Sequence, residues 1–180
     1  MNPAPHLVLV GPMGAGKTSI GRRLAARLGL PFTDMDARIE ANAGAKVTTI
    51  FQLEGEAGFR ARERAMLDEV LRAPSQVIAA GGGVVLADDN RRALRERAFV
   101  VCLDLDVDGQ LERLARDRTR PLLQRDDREA VLRDLAQARA PLYAEVADLR
   151  FATDGMKPED AATALATIVD AQWRRSEAAA

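Results

Sequence analysis

Apolar residues along this chain fall into short blocks that alternate with longer stretches of helical spacing. His6 to Val10 is an apolar run ending at Gly11, the pattern of a buried parallel strand, and Thr18 to Leu28 then repeats apolar residues at helical intervals through Ile20, Leu24 and Leu28. Gly29 and Pro31 stop that helix. Phe32 and Thr33 open a second strand carrying Asp34 and Asp36 at its tip, followed by a helical stretch through Ile39 and Glu40. Glu56 to Arg72 keeps Phe59, Met66, Leu67, Val70 and Leu71 on one side of a charged helix that Pro74 terminates. Val77 to Ala80 is the next strand and runs straight into Gly81, Gly82 and Gly83. A polar helix around Asn90 to Arg97 precedes a strand at Phe99 to Leu103, and Gln110 to Ala115 is again helical. Residues 116–128 crowd charges around one proline with little periodicity, which predicts a mobile loop. Glu129 to Val146 returns to helix, Leu149 to Ala152 supplies a last strand, and Pro158 to Trp173 makes a closing helix with its proline in the first turn. The final SEAAA is expected to fray.

Five short strands separated by helices predict an α/β fold. The expectation is a doubly wound, three-layer arrangement with a central five-stranded parallel sheet, whose ligands bind beyond the strand C-termini. No internal repeat or linker is visible, so residues 1–180 read as one domain with 47% hydrophobic content for its core.

Charge narrows the partners. The 26 basic and 27 acidic side chains nearly cancel, which argues against a global field for nucleic acid or an anionic membrane, so any anion binding must be local. The single cysteine, Cys102, sits in an apolar run and reads as a packed strand residue. The N-terminal stretch has no positive region ahead of its short apolar run, and no segment approaches the roughly 18 to 20 apolar residues of a membrane span, so a cytoplasmic protein is expected.

The strongest chemical signal lies between the first strand and the first helix. Gly11, Gly16, Lys17 and Thr18, in GPMGAGKT, fit G-x-x-x-x-G-K-[ST] in the strand-to-helix context the motif requires. Gly14 and Gly16 let the backbone wrap around phosphates with N–H groups inward, while the helix presents its positive N-terminal end. Lys17 reaches the β and γ phosphates, and the Thr18 hydroxyl suits Mg²⁺, so a Mg-nucleotide complex is implied.

The remaining polar positions favour a kinase over a switch or motor. There is no Asn-Lys-x-Asp segment to read guanine. Asp34 and Asp36 share a face if the strand tip stays extended, so that one serves the metal and the other a substrate hydroxyl. The alternative for Asp36 is an N-cap of the following helix. Arg60 offers a planar fork for a carboxylate, with Glu63 three residues on to orient it; a solvated helix pair is the ordinary alternative. Three glycines at a strand end let backbone approach a ligand.

Taken in order, GPMGAGKT at 11–18, DMD at 34–36, FRARE at 59–63, GGG at 81–83, RPLL at 120–123 and RAPLY at 139–143 closely resemble the shikimate kinases, members of the nucleoside monophosphate kinase-like P-loop enzymes. The resemblance spans nearly the whole chain and implies ATP-dependent phosphorylation of the 3-hydroxyl of shikimate, on the route to chorismate and the aromatic amino acids. It also implies that Asp36, Arg60, Gly82 and Arg139 bind shikimate, with both arginines on its carboxylate. A lid at about 116–128 would carry Arg120 over the nucleotide phosphates, and Arg113 would neighbour the adenine. Gly14, Ala15, Gly16, Lys17, Thr18, Ser19, Arg113 and Arg120 then make up the nucleotide site, with Lys17, Asp36 and Arg120 catalytic. Thr18 holds Mg²⁺ directly and Asp34 holds it through a water. Ser19 after Thr18 departs from the commoner order of these two residues, and the base contact near 153–158 is weakly defined. A monomer acting on a small molecule is expected. The competing readings are a gluconate kinase, a nucleotide kinase, or a nucleotide-binding regulator without transfer.

Overall fold

In the computed structural model, residues 4–115 and 127–173 are described. β1 (His6–Val10) is buried along its whole length, and it takes the centre of a parallel sheet because a run apolar on both faces needs cover on both. Around it lie β2 (Phe32–Asp34), β3 (Val77–Ala79), β4 (Ala98–Asp104) and β5 (Leu149–Ala152), in the order β2-β3-β1-β4-β5. The helices are α1 (Lys17–Leu28), α2 (Met35–Ala43), α3 (Val47–Arg72), α4 (Asp88–Arg97), α5 (Val107–Leu114), α6 (Arg128–Val146) and α7 (Pro158–Gln172), with a 3-10 turn at Val84–Leu86.

Strand alternation sorts the side chains into two cores. Leu7, Leu9, Val77, Phe99, Val101 and Leu103 pack with Ile20 and Leu24 of α1 and with Leu165 and Val169 of α7. Val8, Val10, Ile78, Val100 and Cys102 face the other way, onto Met66, Leu67 and Val70 of α3, Leu94 of α4 and Tyr143 and Val146 of α6. Each leucine buried this way contributes roughly 1.5–3 kcal/mol relative to exposure. This is the three-layer α/β/α arrangement the pattern predicts. Trp173 closes it: its indole Nε1 donates to Ala4 O at 2.8 Å, and its ring stacks on Phe99 with centroids 6.4 Å apart. Cys102 is buried, and burial, helped by nearby Asp104, pushes its thiol up to about 12, so it packs rather than reacts.

Three local expectations need correction. The tip of β2 is not extended through Asp36, because Met35 already begins α2. Asp34 is the N-cap, its Oδ1 accepting from Ala37 N at 3.1 Å, so Asp34 rather than Asp36 caps the helix and strand alternation does not relate the two. The helix expected from Glu56 starts at Val47 and turns a corner at Gly55, whose φ of 69° and ψ of −176° interrupt it. The extra segment is held by tertiary contacts: Ile50 is buried and Phe51 packs on Phe59 at 4.7 Å. Arg128, assigned to the charged loop, is the first residue of α6. The rest of that loop through residue 126, with Arg120 and RPLL, lies outside the described residues.

Candidate active site

The C-terminal ends of β1, β2 and β3 open onto a cavity of about 450 Å³. The loop after β1 forms one wall. Gly11, Gly14 and Gly16 have φ of 134°, 81° and 90°, which a side chain would strain, and this curvature brings the loop over the N-terminus of α1. The Lys17 amine sits inside the curve, donating to Gly11 O and Pro12 O at 2.8 Å each. The Ser19 hydroxyl turns back onto Gly16 O at 3.2 Å, and Ala15 is buried with its N–H closing the turn onto Pro12 O at 3.3 Å. Arg113 of α5 reaches across, donating to Gly14 O at 3.1 Å, to Thr153 Oγ1 at 3.2 Å and to Thr153 O.

The wall after β2 supplies oxygens. Thr18 Oγ1 donates to Asp34 Oδ2 at 2.6 Å, so a hydroxyl and a carboxylate meet beside the loop, and Asp36 in the first turn of α2 lines the same cavity. Hard oxygen donors of this kind suit Mg²⁺, with the remaining positions left to waters and phosphate oxygens.

The wall after β3 is the glycine turn, where each missing side chain leaves room for a different polar group. A Cβ on Gly81 would come within 2.8 Å of Glu63 Oε1 and 3.1 Å of Asp36 Oδ1. One on Gly82 would stand 3.5 Å from both Arg139 Nη1 and Tyr143 Oη. One on Gly83 would overlap the Arg60 guanidinium. None of the three has a positive φ, so close approach and not backbone freedom explains Gly81 and Gly83, whereas a Cβ on Gly82 would make only ordinary contacts.

Behind the turn lies a buried charge cluster. Arg60 Nη1 donates to Glu63 Oε2 at 2.7 Å, and its other nitrogens reach Glu56 Oε1 at 3.1 and 3.3 Å. The Glu63 side chain is 1% exposed and that of Arg60 19%, so this is no solvated helix pair. Burial pushes the Glu63 carboxyl above the usual carboxylate range despite the opposing pull of Arg60; Asp36 pushes the same way and Arg139 pulls back. Burial also works against the Arg60 charge, but Glu63 and Glu56 outweigh it and hold the guanidinium above its ordinary value. Arg139, on α6, is buried beside them.

The structure thus gathers Gly14, Gly16, Lys17, Thr18, Ser19, Asp34, Asp36, Gly82 and Arg113 around one cavity. Arg60 and Arg139 stand against its glycine turn. Sequence reasoning did not identify Glu56, although its place four residues before Arg60 was a signal, nor the Arg113 to Thr153 bond, which has none.

Comparisons with known proteins identify the family. The family model described as Shikimate kinase matches residues 13–169. The chain is 54% identical over 177 residues, 98% of each chain, to a shikimate kinase of Stenotrophomonas maltophilia. It is similar to the solved shikimate kinase of Acinetobacter baumannii in complex with shikimate, with a TM-score of 0.90, 44% identity and coverage of 94% of this chain and 95% of that one. A gluconokinase from Sinorhizobium meliloti, at 17% identity, a TM-score of 0.51 and coverage of 95% and 98%, shares the fold alone.

Proposed function

The chain belongs to the shikimate kinase family, and on that premise we propose that its phosphate loop and Arg120 hold the transferring group of ATP while Asp36, Arg60, Gly82 and Arg139 hold shikimate in line with it. The reaction is transfer of the γ-phosphoryl group of ATP to the 3-hydroxyl of shikimate, giving shikimate 3-phosphate and ADP. One observation carries the division of labour. Arg60, held by Glu63, lies against the same glycine turn whose other side lines the cavity of Lys17 and Asp36. A carboxylate receptor therefore stands beside a phosphate cradle, as an anionic alcohol requires.

Transfer through a loose transition state needs charge stabilisation on the phosphoryl oxygens more than covalent help. Lys17 and the N–H groups of the loop supply it from one side, and Arg120 is assigned the other by the family pattern. Thr18 and Asp34 would hold Mg²⁺, which would supply charge neutralisation at the phosphates when bound. Asp36 orients the attacking hydroxyl and can take its proton. Arg60 and Arg139 grip the carboxylate away from the reacting atoms, and Arg113 borders the nucleotide base.

Monomeric action and cytoplasmic residence belong to the same reading. No described helix is long and apolar enough to cross a membrane. The test is a coupled ADP-release assay with shikimate, gluconate and nucleoside monophosphates as acceptors. Shikimate should be strongly preferred; turnover with gluconate or a nucleotide instead would overturn the assignment, as would ATP binding with no acceptor used.

A further inference from the structure

The glycine turn is fastened at three consecutive carbonyls. Val84 N donates to Gly81 O at 3.1 Å and Leu86 N to Gly83 O at 3.0 Å, so the two outer carbonyls are satisfied by the backbone of the turn itself. The middle one is held by a distant side chain. Tyr143 Oη, on α6, donates to Gly82 O at 2.6 Å from a position only 6% exposed.

We propose that Tyr143 is a positioning residue for the acid substrate: by holding the Gly82 carbonyl it sets the orientation of the peptide that borders the acid and its distance from Arg139. The proposal rests on the reading that the glycine turn and Arg139 receive shikimate. Tyr143 follows Arg139 by four residues on α6, so one helix face brings a cation and a hydroxyl to the same glycine. The ring fills the core among α3, the sheet and α6, a task phenylalanine would perform equally well. The hydroxyl is what phenylalanine lacks, and without it the part-buried Gly82 carbonyl loses its side-chain donor. Burial, opposed by Arg139, pushes the phenol up to about 12, so it remains a donor at any working pH.

The test compares Tyr143→Phe with the unaltered protein, varying shikimate and ATP separately. The KM for shikimate should rise on the order of tenfold, while the KM for ATP stays within about twofold. An unchanged shikimate KM would overturn the proposal, as would an equal rise for both substrates, which is the mark of a general loss of structure. Arg60→Ala, run beside it, separates the two levels of inference. If Arg60→Ala leaves the shikimate KM unchanged, the reading of the receptor itself fails; if it raises KM and Tyr143→Phe does not, only the role of the tyrosine fails.

Should the phenylalanine variant not fold, the chain offers another route, because Tyr143 is its one tyrosine. Biosynthetic replacement by 3-fluorotyrosine then labels that ring alone. Its ¹⁹F resonance should move when shikimate is added and hold still when ADP is added. A resonance indifferent to saturating shikimate refutes the assignment.

Discussion

The two halves of the site are built in opposite ways. The phosphate cradle is a local object: eight contiguous residues, Gly11 to Thr18, bend into a ring whose working groups are mostly backbone, with Lys17 folded onto the loop's own carbonyls. The proposed acid receptor is a long-range object. Asp36 comes from α2, Arg60 and Glu63 from α3, the glycines from the end of β3, and Arg139 and Tyr143 from α6. Its Arg60 is held by the buried carboxylate of Glu63 and the exposed one of Glu56, so its position depends on theirs. A local object fails abruptly when its one essential side chain is lost, whereas a distributed one can be weakened from several directions.

Removing the amine of the cradle should give the largest effect. Lys17→Ala should cost about a thousandfold or more in turnover while leaving the fold intact, which kcat and circular dichroism together would check. In the receptor a methyl group placed far from the chemistry should suffice. Gly83→Ala pushes on the Arg60 guanidinium, so it should raise the shikimate KM by roughly tenfold and leave the ATP KM alone. An equal rise for both substrates would dissolve the contrast.

Acid offers a subtler probe of the same difference. The raised pKa of Glu63 means that it takes up a proton at higher pH than the ordinary carboxylate value of 4.5, and protonation weakens its hold on Arg60. The shikimate KM should therefore climb on the acid side before the ATP KM does, and Glu63→Gln should start high and lose that pH dependence.

The smallest effect lies outside both halves. His6 Nε2 faces Leu71 O at 3.0 Å, and burial lowers its pKa from 6.5, the Leu71 carbonyl opposing and Arg97 adding to the shift. The unfolded chain then binds the extra proton first, so stability should decline as pH falls from 6.5 toward the folded value. Denaturant midpoints measured across that window should show the slope, and His6→Gln should flatten it.

How far each half could be read from sequence follows from the same contrast. The strands were legible because β1 and β4 are apolar almost throughout, and the cradle because its spacing and its flanking strand and helix are all local. The 47–54 segment of α3 was not, since its β-branched residues favour helix poorly and only packing of Ile50 and Phe51 makes it one. Asp34 and Asp36 line one cavity, but strand alternation is not what brings them there, because the helix cap ends the strand at Asp34. The Gly81 to Gly83 run reads in the sequence as an approach of backbone to a ligand, whereas at Gly81 and Gly83 it is the protein's own side chains that come close. What it makes room for depends on Arg60, Glu63 and Tyr143, which only the tertiary fold brings there.

Trp173 sits on the face of the sheet opposite the acid receptor, stacked on Phe99 and bonded to Ala4. As the chain's one tryptophan it is an intrinsic optical gauge of the α1 and α7 layer. Its emission should redden when that layer melts and change little when shikimate is bound, so unfolding and occupancy can be told apart in one cuvette without any added dye.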